Sequence, residues 1–141
     1  MNIKRNNSGF TLLEIIIVII IIGVLASLAL PRLFSTIEFS RSSEAFAAAT
    51  SIRSSMERCR LQNNNAFAGC DTFTSLDIED PVNSPNAHFS YGIDVSGGGE
   101  NYIITATRNT VDGGTSGDTV VITVTATDIK RSGTGAFSGI K

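Results

Sequence analysis

A single carboxylate lies inside a largely apolar segment near the start of the chain. The segment runs from Phe10 to Leu30, and Glu14 is its one charged residue. A carboxylate in the middle of a membrane helix costs roughly 2.5–3.5 kcal/mol on insertion scales, so it is usually paired and functional. We therefore expect Glu14 to form an ion pair with a cation at the same depth in the membrane.

The same segment is long enough to cross a membrane. At a rise of about 1.5 Å per residue, a helix over residues 10–30 spans a hydrocarbon core of about 30 Å. Lys4 and Arg5 precede it, and the next cation is Arg32. Because cations concentrate on the cytoplasmic side, we expect the residues before Phe10 in the cytoplasm and the rest of the chain outside.

Two common kinds of N-terminal segment also combine a short basic stretch with a long apolar one. One is a simple signal anchor. The other is a cleaved signal peptide, for which Ser27-Leu28-Ala29 offers a small-x-small site, leaving a secreted binding domain that starts near Leu30. Neither explains Glu14, because a charge weakens the apolar region of a signal peptide and adds nothing to an anchor.

The junction Gly9-Phe10-Thr11-Leu12-Leu13-Glu14, preceded by a short basic leader, carries a specific resemblance. It resembles the processing site of type IV pilins and of the related pseudopilins of type II secretion. Gly23 and Pro31 fall where many members of that family have a glycine and a proline. The resemblance covers residues 1–55, and the rest of the chain is not recognisable from its sequence.

The resemblance implies a defined processing event. A prepilin peptidase would cut after Gly9, and the new N-terminal Phe10 would be N-methylated. The freed α-amine is a cation near neutral pH. Glu14 would pair with the Phe10 amine of an adjacent subunit and set the register of assembly. The plainer alternative is that Glu14 only favours the first helical turn through the helix macrodipole.

The resemblance also implies a function without catalysis. It predicts the structural subunit of a type IV pilus, which serves adhesion, motility or DNA uptake. The alternative is a major pseudopilin of a type II secretion system that drives protein export. In either case the partners would be other copies of the chain, a prepilin peptidase, and an inner-membrane assembly platform with its ATPase. The subunit would lie in the inner membrane and later in an extracellular pilus or periplasmic pseudopilus.

No motif in the sequence indicates an enzyme or a cofactor. The formal net charge is −2, whereas a direct nucleic-acid binder needs a basic face. We therefore expect nucleic acid as a partner only indirectly, through DNA uptake.

The pattern predicts an α+β, pilin-like fold with one long helix. The expected parts are a leader over residues 1–9, a transmembrane and assembly helix over 10–31, an amphipathic helix over 32–65 and a globular head over 66–141. Proline removes a backbone N–H and clashes one turn back, so Gly23 to Pro31 is the expected break in the helix.

The second half of the helix has an apolar stripe at helical spacing. Its members are Phe34, Ile37, Ala45, Ala48, Ile52, Met56 and Cys59. Arg41 with Glu44, and Arg53 with Glu57, have the spacing of ion pairs on the exposed faces. The helix should end between Leu61 and Asn65 and pack its stripe against a sheet.

Three alternating segments predict an antiparallel sheet of three to four strands. They are Phe89–Val95, Tyr102–Thr107 and Thr119–Thr127, and glycine-rich turns separate them. In the third segment, Ala126 is expected on the same face as the valines and isoleucine. Residues 130–141 are rich in glycine and serine and are expected as a tail, with Phe137 as its tether.

The two cysteines, Cys59 and Cys70, are 11 residues apart. In an exported domain a disulfide is the natural expectation and contributes roughly 3 kcal/mol to stability. Two free thiols are the alternative in a cytosolic protein. Many pilins join their cysteines in a C-terminal loop, so the family disulfide does not transfer to these positions.

Two further sites are weak candidates. Asp112 and Asp118 enclose a glycine-rich turn that could offer oxygen ligands to calcium, but two carboxylates without the EF-hand order favour a solvated turn. The single histidine, His88, has no carboxylate, cysteine or serine at a telling distance in the sequence. We expect it at the surface or at a strand edge.

Overall fold

One long helix forms the N-terminal part of the protein. The computed structural model describes residues 10–141, and its helix α1 runs from Leu12 to Gln62. Asn64 and Asn65 follow with positive φ values of 50° and 63°, which end the helix by a left-handed turn that asparagine tolerates. The predicted helix end is confirmed.

Helix α1 continues through Gly23 and Pro31 without interruption. The predicted break is therefore not seen in the single chain. Proline removes one backbone hydrogen bond, and helical bonding on both sides of it is enough to keep the helix intact here.

The chain divides into two compact units, one ending at Thr36 and the other formed by Ile37–Lys141. The second unit, called the head below, combines the last part of α1 with all the strands. It carries the packed core of the protein.

The head contains a four-stranded antiparallel meander. Its strands are β1 Phe89–Ser96, β2 Asn101–Arg108, β3 Thr119–Val124 and β4 Ile129–Gly133, in the spatial order β1-β2-β3-β4. The register places Ile93 opposite Ile104 and Ile104 opposite Ile122. The α+β, pilin-like fold with an antiparallel sheet is confirmed.

The last strands differ from the prediction. β3 ends at Val124, because the N–H of Thr125 bonds to the carbonyl of Asp128 at 2.9 Å and closes a turn. Ala126 lies in that turn and is exposed. Four of the five residues of β4, Ile129–Gly133, are exposed. The alternation that reveals a strand depends on a buried face, so the sequence shows β4 only as a tail.

The apolar face of the sheet packs against α1. Ile52 and Met56 of the helix are fully buried with Tyr102 and Ile104 of β2. A second cluster joins the residues Ala45, Phe89, Ala106, Val120 and Phe137. The predicted stripe is right at Ala45, Ile52 and Met56. Phe34 and Ile37 are exposed instead, and Ala49 is buried where the prediction had Ala48, which is half-buried.

Two tethers hold the irregular parts of the head. Cys59 at the end of α1 forms a disulfide with Cys70, whose Cα atom is 6.1 Å away, which confirms the predicted bond. Phe137 is fully buried with its ring centre 5.6 Å from that of Phe89, which confirms it as the tether of the tail.

Candidate functional site

The carboxylate of Glu14 lies in the first turn of α1. The backbone N–H of Glu14 donates to the Thr11 hydroxyl at 3.2 Å, so Thr11 caps the helix. Within residues 10–141 the Glu14 carboxylate forms no ion pair or hydrogen bond. The side chain that accepts a cap hydrogen bond is therefore that of Thr11 and not that of Glu14.

Phe10 stands just before the helix and is 79% exposed. Gly9, the predicted cleavage site, lies outside the described residues. Cleavage after Gly9 and methylation of Phe10 therefore stay predictions.

The first half of α1 presents apolar side chains to the outside in every direction. None of its most apolar stretch is buried, and the helix is long and apolar enough to cross a membrane. The isoleucines from Ile15 to Ile22 have between 41% and 59% of their surface exposed. An apolar surface of this size is typical of a membrane or subunit interface.

The head contains a second group of charges, which joins α1 to the sheet. Arg108 at the end of β2 donates from Nε and Nη2 to the two carboxylate oxygens of Glu38, at 2.9 and 3.0 Å. The Arg108 side chain is fully buried and that of Glu38 is 21% exposed. This bidentate hydrogen bond holds the pKa of Glu38 below its ordinary value.

The remaining donors of Arg108 bond to backbone carbonyls. Nη1 donates to the carbonyls of His88 and Asn109, and Nη2 donates to that of Val111. A Cβ atom on Gly114 would lie 2.2 Å from the guanidinium carbon, so any larger residue there would displace the guanidinium from its hydrogen bonds. The sequence does not indicate that Arg108 is buried with these partners, because a single arginine at the end of a strand is normally exposed.

His88 lies directly before the edge strand β1, as expected, and its side chain, which is 13% exposed, belongs to the same group of charges. Its Nδ1 lies 2.6 Å from a Glu44 carboxylate oxygen, and its Nε2 lies 2.9 Å from Asp112. Arg41 also contacts Nε2 and pairs with Asp112 at 3.2 Å. The carboxylates come from positions 44 and 24 residues away along the chain, so local spacing could not reveal them.

The predicted ion pairs along the helix are replaced by others. Arg41 lies 3.7 Å from Glu38 instead of pairing with Glu44, whose carboxylate binds His88. Arg60, not Arg53, is the partner of Glu57, at 3.0 Å. Glu44 bonds to His88 beside β1 and Glu38 bonds to Arg108 of β2, so contacts outside the helix decide the partner of Arg41.

The candidate calcium ligands have other partners. Asp112 bonds to Arg41 and His88, and these contacts hold its pKa below the ordinary value, the hydrogen bond with His88 being the main cause. The Asp118 carboxylate accepts the N–H of Ala136 at 2.9 Å. Among residues 10–141 no group of three or more histidine, cysteine or acidic side chains could hold a metal ion.

Comparison with known proteins gives a match at the N-terminus. Residues 4–30 match the prokaryotic N-terminal methylation motif. The match includes the Gly9–Phe10 junction and Glu14. No solved structure gives a significant match to the chain.

Relatives of two kinds are similar to this chain. Fimbrial protein EcpC of Eikenella corrodens is 32% identical over 133 residues, which cover 89% of this chain and 80% of that protein. Type II secretion system core protein G of Aeromonas hydrophila is 34% identical over 84 residues, which cover 60% of this chain and 55% of that protein. The core protein G of Pectobacterium carotovorum is 45% identical over 56 residues, and there the chain spans only 36% of the relative.

The similarity to the fimbrial protein extends over almost the whole chain, and the fold agrees with the expectation from the N-terminal junction. The long apolar helix, the four-stranded antiparallel sheet and the methylation motif occur together in one protein. The chain belongs to the family of type IV pilins and type II secretion pseudopilins.

Proposed function

We propose that this protein is the structural subunit of a type IV pilus filament. The observation that carries the proposal is the apolar stretch of α1 up to Leu30, which is not buried within the chain and has Glu14 as its one charged residue. Exposure of such a large apolar surface to water is unfavourable. A lipid bilayer therefore covers the surface before assembly, and neighbouring subunits cover it afterwards.

Processing at the N-terminus supplies the cation that Glu14 lacks. A prepilin peptidase cuts after Gly9, which leaves a charged α-amine on Phe10. Four residues correspond to about 6 Å along a helix, so two neighbouring helices offset by one turn bring amine and carboxylate together. The pair neutralises two charges in an apolar bundle, and every other register leaves both unpaired.

The head is positioned outside the cytoplasm in this proposal. Its disulfide supports this, because disulfides form and persist in oxidising compartments. The basic residues before the apolar segment support the same orientation. Assembly uses an inner-membrane platform with an ATPase, and the finished filament serves adhesion, motility or DNA uptake.

The extent of the similarity supports the pilus within the family. EcpC covers 89% of the chain, and therefore most of the head, whereas the core protein G of Aeromonas hydrophila covers 60%. The head is the part that distinguishes one filament from another, since the N-terminal segment is shared by both groups.

Mass spectrometry of the protein isolated from its own cells tests the processing step. We expect a mature chain that begins at N-methylated Phe10. A mature chain that begins at Met1 or near Leu30 would overturn the proposal.

The second candidate function is that of a major pseudopilin of type II secretion. It is favoured by the core protein G relatives, one of which reaches 45% identity over its matched segment. Electron microscopy of the cell surface and an assay of exported proteins in a deletion strain separate the two. Loss of surface filaments with normal export supports the pilus, and loss of export without any surface filament supports the pseudopilin.

A further inference from the structure

Two grooves of opposite charge lie at the two edges of the head. The first, called the β4 groove, has a volume of about 220 Å³ between α1 and the last strands. It is lined by Phe46, Ala49, Thr50, Arg53, Ile122, Ile129 and Arg131. Its floor is apolar, and its charged groups are two arginines.

The arginines of the β4 groove have no acidic partner among residues 10–141. Arg131 pairs across the strands with Ile122, which places its side chain on the face that meets the helix. Its guanidinium lies 5.6 Å from the centre of the Phe46 ring. Within residues 10–141 neither Arg53 nor Arg131 forms an ion pair. A guanidinium stacked on a ring keeps its N–H edge available for a carboxylate.

The second groove, called the β1 groove, has a volume of about 680 Å³ and lies along the opposite edge of the sheet. Asp71, Glu79 and Asp80 are the charged residues that line it. Asp80 caps a short helical turn by accepting the N–H of Val82 at 3.0 Å. The carboxylates of Asp71 and Glu79 are exposed and, in the part of the chain that the structure describes, form no ion pair.

We propose that the β4 groove of one head binds the acidic rim of the β1 groove of a second copy, with Arg53 and Arg131 facing Asp71 and Glu79. The proposal rests on the filament proposed above and adds which surfaces of the head meet. Charge complementarity selects the partner, because the two grooves carry opposite signs and the four facing residues form no ion pair within the described part of the chain.

The position of the grooves determines the kind of assembly. They lie at β1 and β4, the two edges of one sheet, so a contact between them joins different surfaces of the two copies. Such a heterologous contact leaves one groove of each kind open at the ends of the pair. It therefore repeats and builds an open filament unless the rotation closes a ring.

Charge reversal and its rescue test the contact in cells that make the filament. Arg131→Glu and Glu79→Lys should each lower the amount of filament by roughly tenfold, because like charges then face each other in every repeat. The double variant should restore most of the wild-type amount. Glu100→Lys is the matched control, since Glu100 is exposed and outside both grooves, and it should leave the amount unchanged.

Cross-linking tests the contact without depending on filament yield. Both natural cysteines are in the disulfide, so introduced cysteines are the only free thiols. Glu79→Cys with Arg131→Cys should give a ladder of covalent multimers upon oxidation, whereas Ser116→Cys with Arg131→Cys should not. Full filament yield in both single reversals, a missing ladder, or cross-links only to another protein would overturn the inference.

The two proposals fail in different ways. If the wild-type chain forms no filament at all, the proposed function is wrong. If wild-type filaments form and the charge reversals and cysteine pair behave as the controls do, only the contact between the grooves is wrong.

Discussion

Glu38 and Arg108 are 70 residues apart in the sequence and share two hydrogen bonds, at 2.9 and 3.0 Å. One lies on α1 and the other at the end of β2, so the pair fixes the helix to the sheet beside the boundary between the two compact units. The guanidinium also holds three backbone carbonyls. This makes Arg108 the residue on which the polar part of the head depends.

Removal of the Arg108 guanidinium should strongly destabilise the head. Arg108→Met should lower its free energy of unfolding by about 3–5 kcal/mol, because Glu38 and the carbonyls lose their partner in a buried setting. Urea titration of the full chain in detergent micelles, followed by tyrosine fluorescence, measures this, since Tyr91 and Tyr102 both lie in the sheet. Lys130→Met on the exposed strand β4 is the control, and a loss of similar size there would contradict the prediction.

Acidification should weaken the same contact. The hydrogen bonds with Arg108 lower the pKa of Glu38 from the ordinary 4.5, so its contribution to stability is complete above pH 4.5. That contribution is lost as the pH falls through the lowered pKa, because the carboxylate then becomes protonated in the folded state as well. Urea midpoints measured from neutral pH downward should decline in this range.

The variant Glu38→Gln shows whether Glu38 is responsible for the decline. It should start from a lower stability at neutral pH and lose less between neutral and acidic pH than the wild type. Glu100→Gln, an exposed carboxylate, should keep the wild-type profile. Equal acid loss in wild type and Glu38→Gln would show that other carboxylates carry the effect.

The hydroxyl of Tyr102 is buried without a hydrogen-bond partner among the described residues, although the ring is fully packed. The same burial raises the pKa of Tyr102 to about 12. Tyr102→Phe removes an unsatisfied polar atom, so stability should be unchanged or rise by about 1 kcal/mol. The Tyr91 fluorescence reports the unfolding, and a loss above about 1 kcal/mol would mean that the hydroxyl has a stabilising partner.

The disulfide should stabilise the head without affecting membrane insertion. Cys59→Ser with Cys70→Ser should lower the free energy of unfolding by roughly 3 kcal/mol, because the bond closes a loop between α1 and the following segment. Insertion into membranes, measured by carbonate extraction, should not change. Equal urea midpoints for oxidised wild type and the double variant would contradict this role.

Glu14→Ala should separate processing from assembly. The bond after Gly9 lies four residues before Glu14 in the sequence, so cleavage should proceed. The Phe10 amine loses its partner, so filament yield should fall by roughly tenfold or more. N-terminal mass spectrometry and electron microscopy give the two readouts. Glu100→Ala is the control for loss of a carboxylate elsewhere, and normal filaments in Glu14→Ala would refute the pairing.

The sequence was informative where the physical signal is local. The long helix, its end after Gln62, the disulfide and three of the four strands all follow from apolar spacing, turn residues or cysteine usage. Strand β4 was not predicted, because four of its five residues are exposed and its sequence shows no alternation of apolar and polar residues.

The charged centre of the head could not be predicted, since its partners meet only in three dimensions. His88 finds Glu44 on α1 and Asp112 in the turn before β3, and nothing in its neighbourhood in the sequence marks either carboxylate. The burial of Arg108 could not be predicted either, because it depends on how the strands around the guanidinium pack. The choice among several helical ion pairs failed for the same reason.

The exposed apolar half of α1 has a consequence for the direction of assembly. A subunit that moves from bilayer to filament exchanges lipid contacts for contacts with other helices, and both environments are apolar. Burial therefore contributes almost equally to the start and to the end of this transfer and cannot drive it. The free-energy difference between inserted and polymerised subunits must come from polar pairing, from contacts between the heads, or from work done on the chain. Without that work, the inserted and polymerised states should have similar free energies.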